Sequence, residues 1–288
     1  MAFALMAYCA SDVSHDLPVT ETAFARAALG CLMLAPWLLA NLRVLLSPQV
    51  RFLVLRACAG CCSALCYFYT LSVTSAANAR ALADVAPLFV VGLGWRLLGE
   101  IPTKIQAGFI VLGVLGTTCL GLPGARACPP DCWIVGIAGA LFAALAYYSL
   151  RKISAVFPTS VTVFAFMLVL ALVAASLPDR SWQAPDVEQW TYLILVGIFG
   201  LFGQLWLTAS FARLPAFLAS VFNLSTLPMV CMLELVLDHH WPSLMECLAY
   251  GLILSSVALS SIFQPIPASS LSEEEGSVLQ KGADRLGK

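Results

Sequence analysis

The chain has 288 residues, of which 60% are hydrophobic and 11% charged, with a formal net charge of -1. A soluble domain carries roughly 25% charged residues, so this composition, with a mean hydropathy of +0.90, excludes an ordinary soluble protein and points to an integral membrane one. The near-neutral balance gives no basis for nucleic acid as a partner.

The opening stretch, MAFALMAYCASDVSH, lacks a basic leader and an A-x-A-like cleavage site, so no cleavable signal peptide is expected. Its apolar part is too short to cross a bilayer before Asp12. After the polar turn Ser11 to Glu21, hydropathy predicts spans at roughly 20–41, 51–71, 75–96, 103–122, 133–150, 159–177, 189–211, 215–237 and 242–263. With the short first segment these make ten. The tail 264–288, with Pro265, Pro267 and the run Glu273 to Glu275, is expected to be disordered.

The third predicted span, 75–96, with its flanks is the chemically richest stretch, SAANARALADVAPLFVVGLGWRLLGEIPTK. Arg80, Asp84 and Pro87 fall at i, i+4 and i+7 and share one helical face. A guanidinium and a carboxylate inside a membrane span persist only when paired or facing a polar cavity. A rise of about 1.5 Å per residue sets Arg80 about 7 Å below the outer end of its span and Arg26 about 10 Å below the end of its own. Arg80, Asp84, Arg26, Asn78, Tyr67, Tyr69 and Gln204 are the candidate substrate-binding residues.

Eleven cysteines do not make a metal or disulfide scaffold here. Cys58, Cys61, Cys62 and Cys66 lie on one apolar span, where they read as small packing residues rather than zinc ligands. Cys128 and Cys132 are expected in a loop, where an oxidising compartment could bond them. No metal, cofactor or catalytic residue is expected. The chain has no G-x-S-x-G, H-E-x-x-H or G-x-G-D pattern of an intramembrane enzyme.

Orientation follows the basic residues of the short loops. One set of loops holds Arg43, Arg51, Arg56, Arg96, Lys104, Arg151, Lys152 and Arg213, and the alternate set holds Arg126 and Arg180. The first set is expected on the cytoplasmic side, with the C-terminal tail. Glu100, Glu234, Glu246 and the His239-His240 pair read as turn or interfacial residues. A weak internal repeat accompanies this pattern. Gly60 to Thr103 lies on Gly200 to Ser243 at a constant offset of 140, pairing Gly60 with Gly200 and Pro102 with Pro242. Five spans per half is an odd number, so the second half enters the membrane inverted, an architecture of secondary transporters.

With those residues in view, Glu21 to Gly121 resembles one repeat of the drug/metabolite transporter superfamily, or EamA-like transporters. The features are Arg26 in FAR, CYFYTL before SAANA, the proline Pro87, and GEIP at Gly99 to Pro102. The second half, with Gly200 to Gln204, is similar to the solute-carrier family 35 branch. The resemblance implies an all-α membrane protein of ten helices in a five-plus-five inverted repeat, moving a small polar organic metabolite by alternating access. It implies a first repeat at 1–122, a loop at 123–132, a second repeat at 133–263 and a cytoplasmic tail at 264–288. The first helix is short for the family. The partners implied are a small-molecule substrate and the lipid bilayer, in the plasma membrane or an endomembrane, and a homodimer is compatible. A membrane protein that binds or regulates a partner without transport is the alternative.

Overall fold

The computed structural model describes residues 1–14, 16–40, 47–93, 104–119, 129–177, 182–214, 219, 223–237 and 243–262. The tail, the loop 123–128 with Cys128, Gly99-Glu100 and His239-His240 lie outside the described residues. The helices are α1 (Ala2–Val13), α2 (Val19–Ala40), α3 (Val50–Val73), α4 (Ala76–Ala83), α5 (Ala86–Leu93), α6 (Lys104–Cys119), α7 (Pro130–Ile153), α8 (Thr159–Ser176), α9 (Val187–Arg213), α10 (Thr226–Leu237) and α11 (Leu244–Ile262). No strand occurs among the described residues. Five helices, α2, α3, α7, α8 and α9, are long and apolar enough to cross a membrane. The other expected spans are met by shorter helices or adjoin residues outside the described set. Leu32, Trp37, Leu172 and Trp206 are each more than half exposed, the outward apolar surface that a lipid solvent permits.

The repeat is far more regular in space than in sequence. At the same offset of 140, α1 and α7 end together at Val13 and Ile153, and α2 and α8 begin together at Val19 and Thr159. The ends of α3 and α9, Val73 and Arg213, also correspond, as do the starts of α5 and α10, Ala86 and Thr226, and of α6 and α11, Lys104 and Leu244. Local chemistry repeats with them. Thr22 Oγ1 donates to the Pro18 carbonyl at 3.5 Å, and Thr162 Oγ1 donates to the Pro158 carbonyl at 3.3 Å. Packing obeys the same exchange of halves. The contact of α3 with α7 is mirrored by that of α9 with α1, and α3 with α8 by α9 with α2. The pairs α2 with α8 and α6 with α11 map onto themselves. A pseudo-twofold axis therefore runs through the molecule, as an inverted repeat requires.

The span expected as one helix over 75–96 is broken. Helix α4 stops at Ala83, Asp84 and Val85 form a turn, and α5 restarts at Ala86. Pro87 is the cause, since it lacks an N–H and its ring would clash with the carbonyl four residues back, at Ala83. Sitting in the first turn of a fresh helix, it costs little there. The second repeat breaks at the matching place, Leu224-Ser225, ahead of Pro228. Each break carries a tightened turn, with Val85 N–H donating to the Leu82 carbonyl at 3.3 Å and, two residues past the offset, Leu227 N–H donating to the Leu224 carbonyl at 3.2 Å.

Candidate functional site

The two breaks face each other across a cavity of about 100 Å³ on the pseudo-twofold axis. Its lining comes in symmetry-related pairs: Met6 with Ala146, Arg26 with Phe166, Ala64 with Gln204, Tyr67 with Leu207, and Ala83 with Asn223. Each pair differs in chemistry, so a symmetric frame encloses an asymmetric site.

Three arginines dominate it. Arg80, near the end of α4, pairs with Asp84 at 2.5 Å, the only ion pair among the described residues. Its Nη2 also donates to the Asn223 carbonyl at 3.0 Å. That carbonyl belongs to the broken backbone of the second repeat, so a charge from one half satisfies a backbone acceptor of the other. Asn223 Nδ2 in turn donates to Tyr147 Oη at 3.4 Å. Arg56, on α3, donates from Nη2 to Gln204 Oε1 of α9 at 3.1 Å. Its guanidinium lies 5.0 Å from the centroid of the Phe166 ring. Arg26, on α2, lies 5.9 Å from that same ring and 5.6 Å from Phe68. Arginine over an aromatic face is attracted by the ring quadrupole. Arg26 and Arg56 are both 2% exposed and Arg80 is 8% exposed. The Nε atoms of all three are buried without a hydrogen-bond partner.

Two glycines make room for this. A Cβ on Gly60 would strike Arg56 Nη1 and fall 2.9 Å from Phe166, while one on Gly200 would fall 2.6 Å from Arg26 Nε. Gly60 and Gly200 are the pair matched by the sequence repeat, and each seats one arginine.

Of the candidate residues, the cavity gathers Arg26, Tyr67, Arg80 and Gln204, with Asp84 held beside it by Arg80. Tyr69 is elsewhere, its Oη donating to Asp131 Oδ2 at 2.7 Å where α3 ends and α7 begins. Asn78 is not among the cavity's lining residues and donates from Nδ2 to Thr74 Oγ1, at the end of α3, at 3.2 Å. Glu234 does not snorkel to the surface as an interfacial carboxylate. Its Oε1 accepts the Ala77 N–H at 3.2 Å, satisfying an orphan donor at the start of α4. Cys132, expected in a loop, is buried in the first turn of α7. Arg56 was assigned by its charge to a cytoplasmic loop, yet it sits inside α3. The spacing of Arg56 to Gly60, one turn apart on a repeat-matched glycine, is the signal that could have found it. Asn223, Tyr147 and Phe166 carried none. Among the described residues no group of three or more metal-ligating side chains is clustered.

Comparison with known proteins agrees with this architecture. Residues 1–122 and 131–262 match the EamA-like transporter family. The chain is 31% identical over 221 residues to the pseudopaline exporter CntI of Pseudomonas aeruginosa, covering 76% of this chain and 78% of that protein. It is 25% identical over 243 residues to a riboflavin transporter of Brucella anthropi, covering 79% and 85%. A solved crystal structure, 21% identical, superposes with a TM-score of 0.73 over 91% of this chain and 95% of the other, a likeness of fold alone.

Proposed function

We propose, for a chain that belongs to the EamA-like transporter family and is a multi-pass membrane transporter, that it carries a small polar organic solute through the cavity between its repeats by alternating access. The observation that carries this reading is the position of the cavity. It lies on the axis relating the halves, at two facing helix breaks, and is lined by buried polar side chains. Those are the places where discontinuous transporter helices hold their cargo. Relatives named for single solutes, pseudopaline and riboflavin, support a small-molecule cargo. The surface between the halves suits movement. An added Cβ on Gly136 would fall 2.7 Å from Leu82, on Gly139 2.8 Å from Cys66, and on Gly203 2.7 Å from Phe3, each contact joining one repeat to the other. Small residues let packed helices approach and slide without interlocking side chains. Arg80, Arg26, Tyr67 and Gln204 line the cavity and are the proposed solute contacts, with Asp84 neutralising Arg80.

The test loads proteoliposomes with a mixed extract of small organic metabolites and follows its loss by mass spectrometry. Liposomes holding the full chain should release or exchange particular solutes faster than protein-free liposomes. Equal rates for every solute, with the protein shown to be inserted and folded, would sink the transport reading.

A further inference from the structure

We infer that the solute is a small organic dianion and that Arg26 and Arg56 bind it. This rests on reading the cavity as the transport site, and it assigns the charge of the cargo. Three guanidiniums line the cavity, but they are not equivalent. Arg80 is neutralised by Asp84 and also holds the Asn223 carbonyl. Arg26 and Arg56 form no ion pair among the described residues, and each is 2% exposed. Arginine does not shed its proton in a protein, so two positive charges stand in low dielectric without an anion among the described residues. Charges are retained in such a place only when something pairs with them.

The protein meets part of that need without supplying a negative charge. Both guanidiniums lie within 6 Å of the Phe166 ring centroid, and Arg26 also faces Phe68. Gln204 fixes Arg56 through a single Nη2 bond. The Nε atoms of both are buried without a partner, so each guanidinium keeps donor capacity beyond its present contacts, and a guanidinium spends that capacity best on an acidic group. Gly60 seats Arg56 at its Nη1 and Gly200 seats Arg26 at its Nε, so each guanidinium is held in place by a close glycine backbone. One guanidinium per negative charge gives a dianion. A cavity of about 100 Å³, which at about 30 Å³ per water holds roughly three waters, limits it to a short one. A dicarboxylate and a phosphate share this chemistry.

The test is thermal unfolding of the purified full chain in detergent, titrated with succinate, inorganic phosphate or the neutral succinamide at matched ionic strength. Succinate or phosphate should raise Tm saturably and succinamide should not. A response to succinate alone assigns a carboxylate cargo, and one to phosphate alone a phosphoryl cargo. Arg26→Gln and Arg56→Gln should each raise the half-saturating concentration about tenfold or more, while Arg51→Gln, at the exposed start of α3, should not. Each of the first two should leave the ligand-free Tm unchanged or higher, because it removes an unpaired buried charge. No response to either anion in the unsubstituted protein overturns the inference. So does an anion response whose half-saturating concentration is unchanged in both substituted proteins. Liposomes that move only neutral or cationic solutes would overturn the anion inference and leave transport standing. Saturable anion binding with no movement would do the reverse.

Discussion

Arg80 and Arg56 carry the same charge into the same cavity, and their neighbours give them different work. Arg80 has Asp84 one turn away, so removing either partner strands the other in low dielectric. Asp84→Asn should cost about 3–5 kcal/mol, whereas joint replacement by Arg80→Met and Asp84→Leu should recover most of that loss. Chemical unfolding of the three proteins in one detergent measures it, and a joint variant as unstable as the single one would contradict the ion-pair account. Gly200 tests the seat of Arg26. Gly200→Ala puts a Cβ 2.6 Å from Arg26 Nε, overpacking that should cost about 1–3 kcal/mol. In a double-mutant cycle with Arg26→Ala the two changes should couple by about 0.5–3 kcal/mol, because the smaller side chain removes the clash. Strict additivity would mean that the glycine serves something else. Arg80, Asp84 and Arg26 were legible in the sequence because a charge in an apolar run stands out. Arg56 was not, because it lies six residues into α3, near enough to a loop for its charge to be counted there.

At the scale of elements, the informative feature is the pair of breaks. The sequence showed Pro87 and Pro228 but not what they do, because a proline within an apolar run either kinks a helix or starts a new one, and spacing alone does not decide between these. The turns at Asp84-Val85 and Leu224-Ser225 decide it. Pro87 is the second residue of α5, where its missing N–H would have had no partner. Pro87→Ala should therefore shift stability by less than about 1 kcal/mol, against about 3 kcal/mol for a proline that interrupts a helix interior. A large stabilisation on thermal unfolding would show that the break is imposed against a helix ready to close. The start of α4 is held from the other repeat, since Glu234 on α10 accepts the Ala77 N–H. Glu234→Ala should cost about 1 kcal/mol, in the range of a lost N-terminal cap. The loss should fall away in Glu234→Gln, which keeps an acceptor oxygen. No local pattern could have announced this contact, because its partners are 157 residues apart.

For the whole molecule, the inverted repeat was legible as an order of features and faint as residue identities. Membrane helices need apolar surface far more than particular residues, so the halves keep their helix boundaries while their side chains diverge. That explains why the offset of 140 governs helix ends more closely than it governs sequence. The same alternation fixes the expected topology. With Arg56 inside α3, the basic residues divide seven, namely Arg43, Arg51, Arg96, Lys104, Arg151, Lys152 and Arg213, against two, Arg126 and Arg180. Arg51 lies in the first turn of α3, Lys104 begins α6, Arg151 and Lys152 lie in the last turn of α7, and Arg213 ends α9. In an up-and-down order these four helix ends fall on one side. Asp131 at the start of α7 and Glu188 at the start of α9 fall on the other. Positively charged short loops stay cytoplasmic, so the tail 264–288 should be cytoplasmic and the segment 123–129 should face the exterior or lumen. An impermeant thiol reagent applied to sealed, reduced vesicles, with the labelled peptide mapped by mass spectrometry, checks this. A Ser272→Cys reporter should be modified from the cytoplasmic face and Cys128 from the opposite face. Cys132, with 0% exposure in α7, should resist both until the protein is denatured. Modification of Cys128 from the cytoplasmic side of intact vesicles would invert the assignment and place both termini outside.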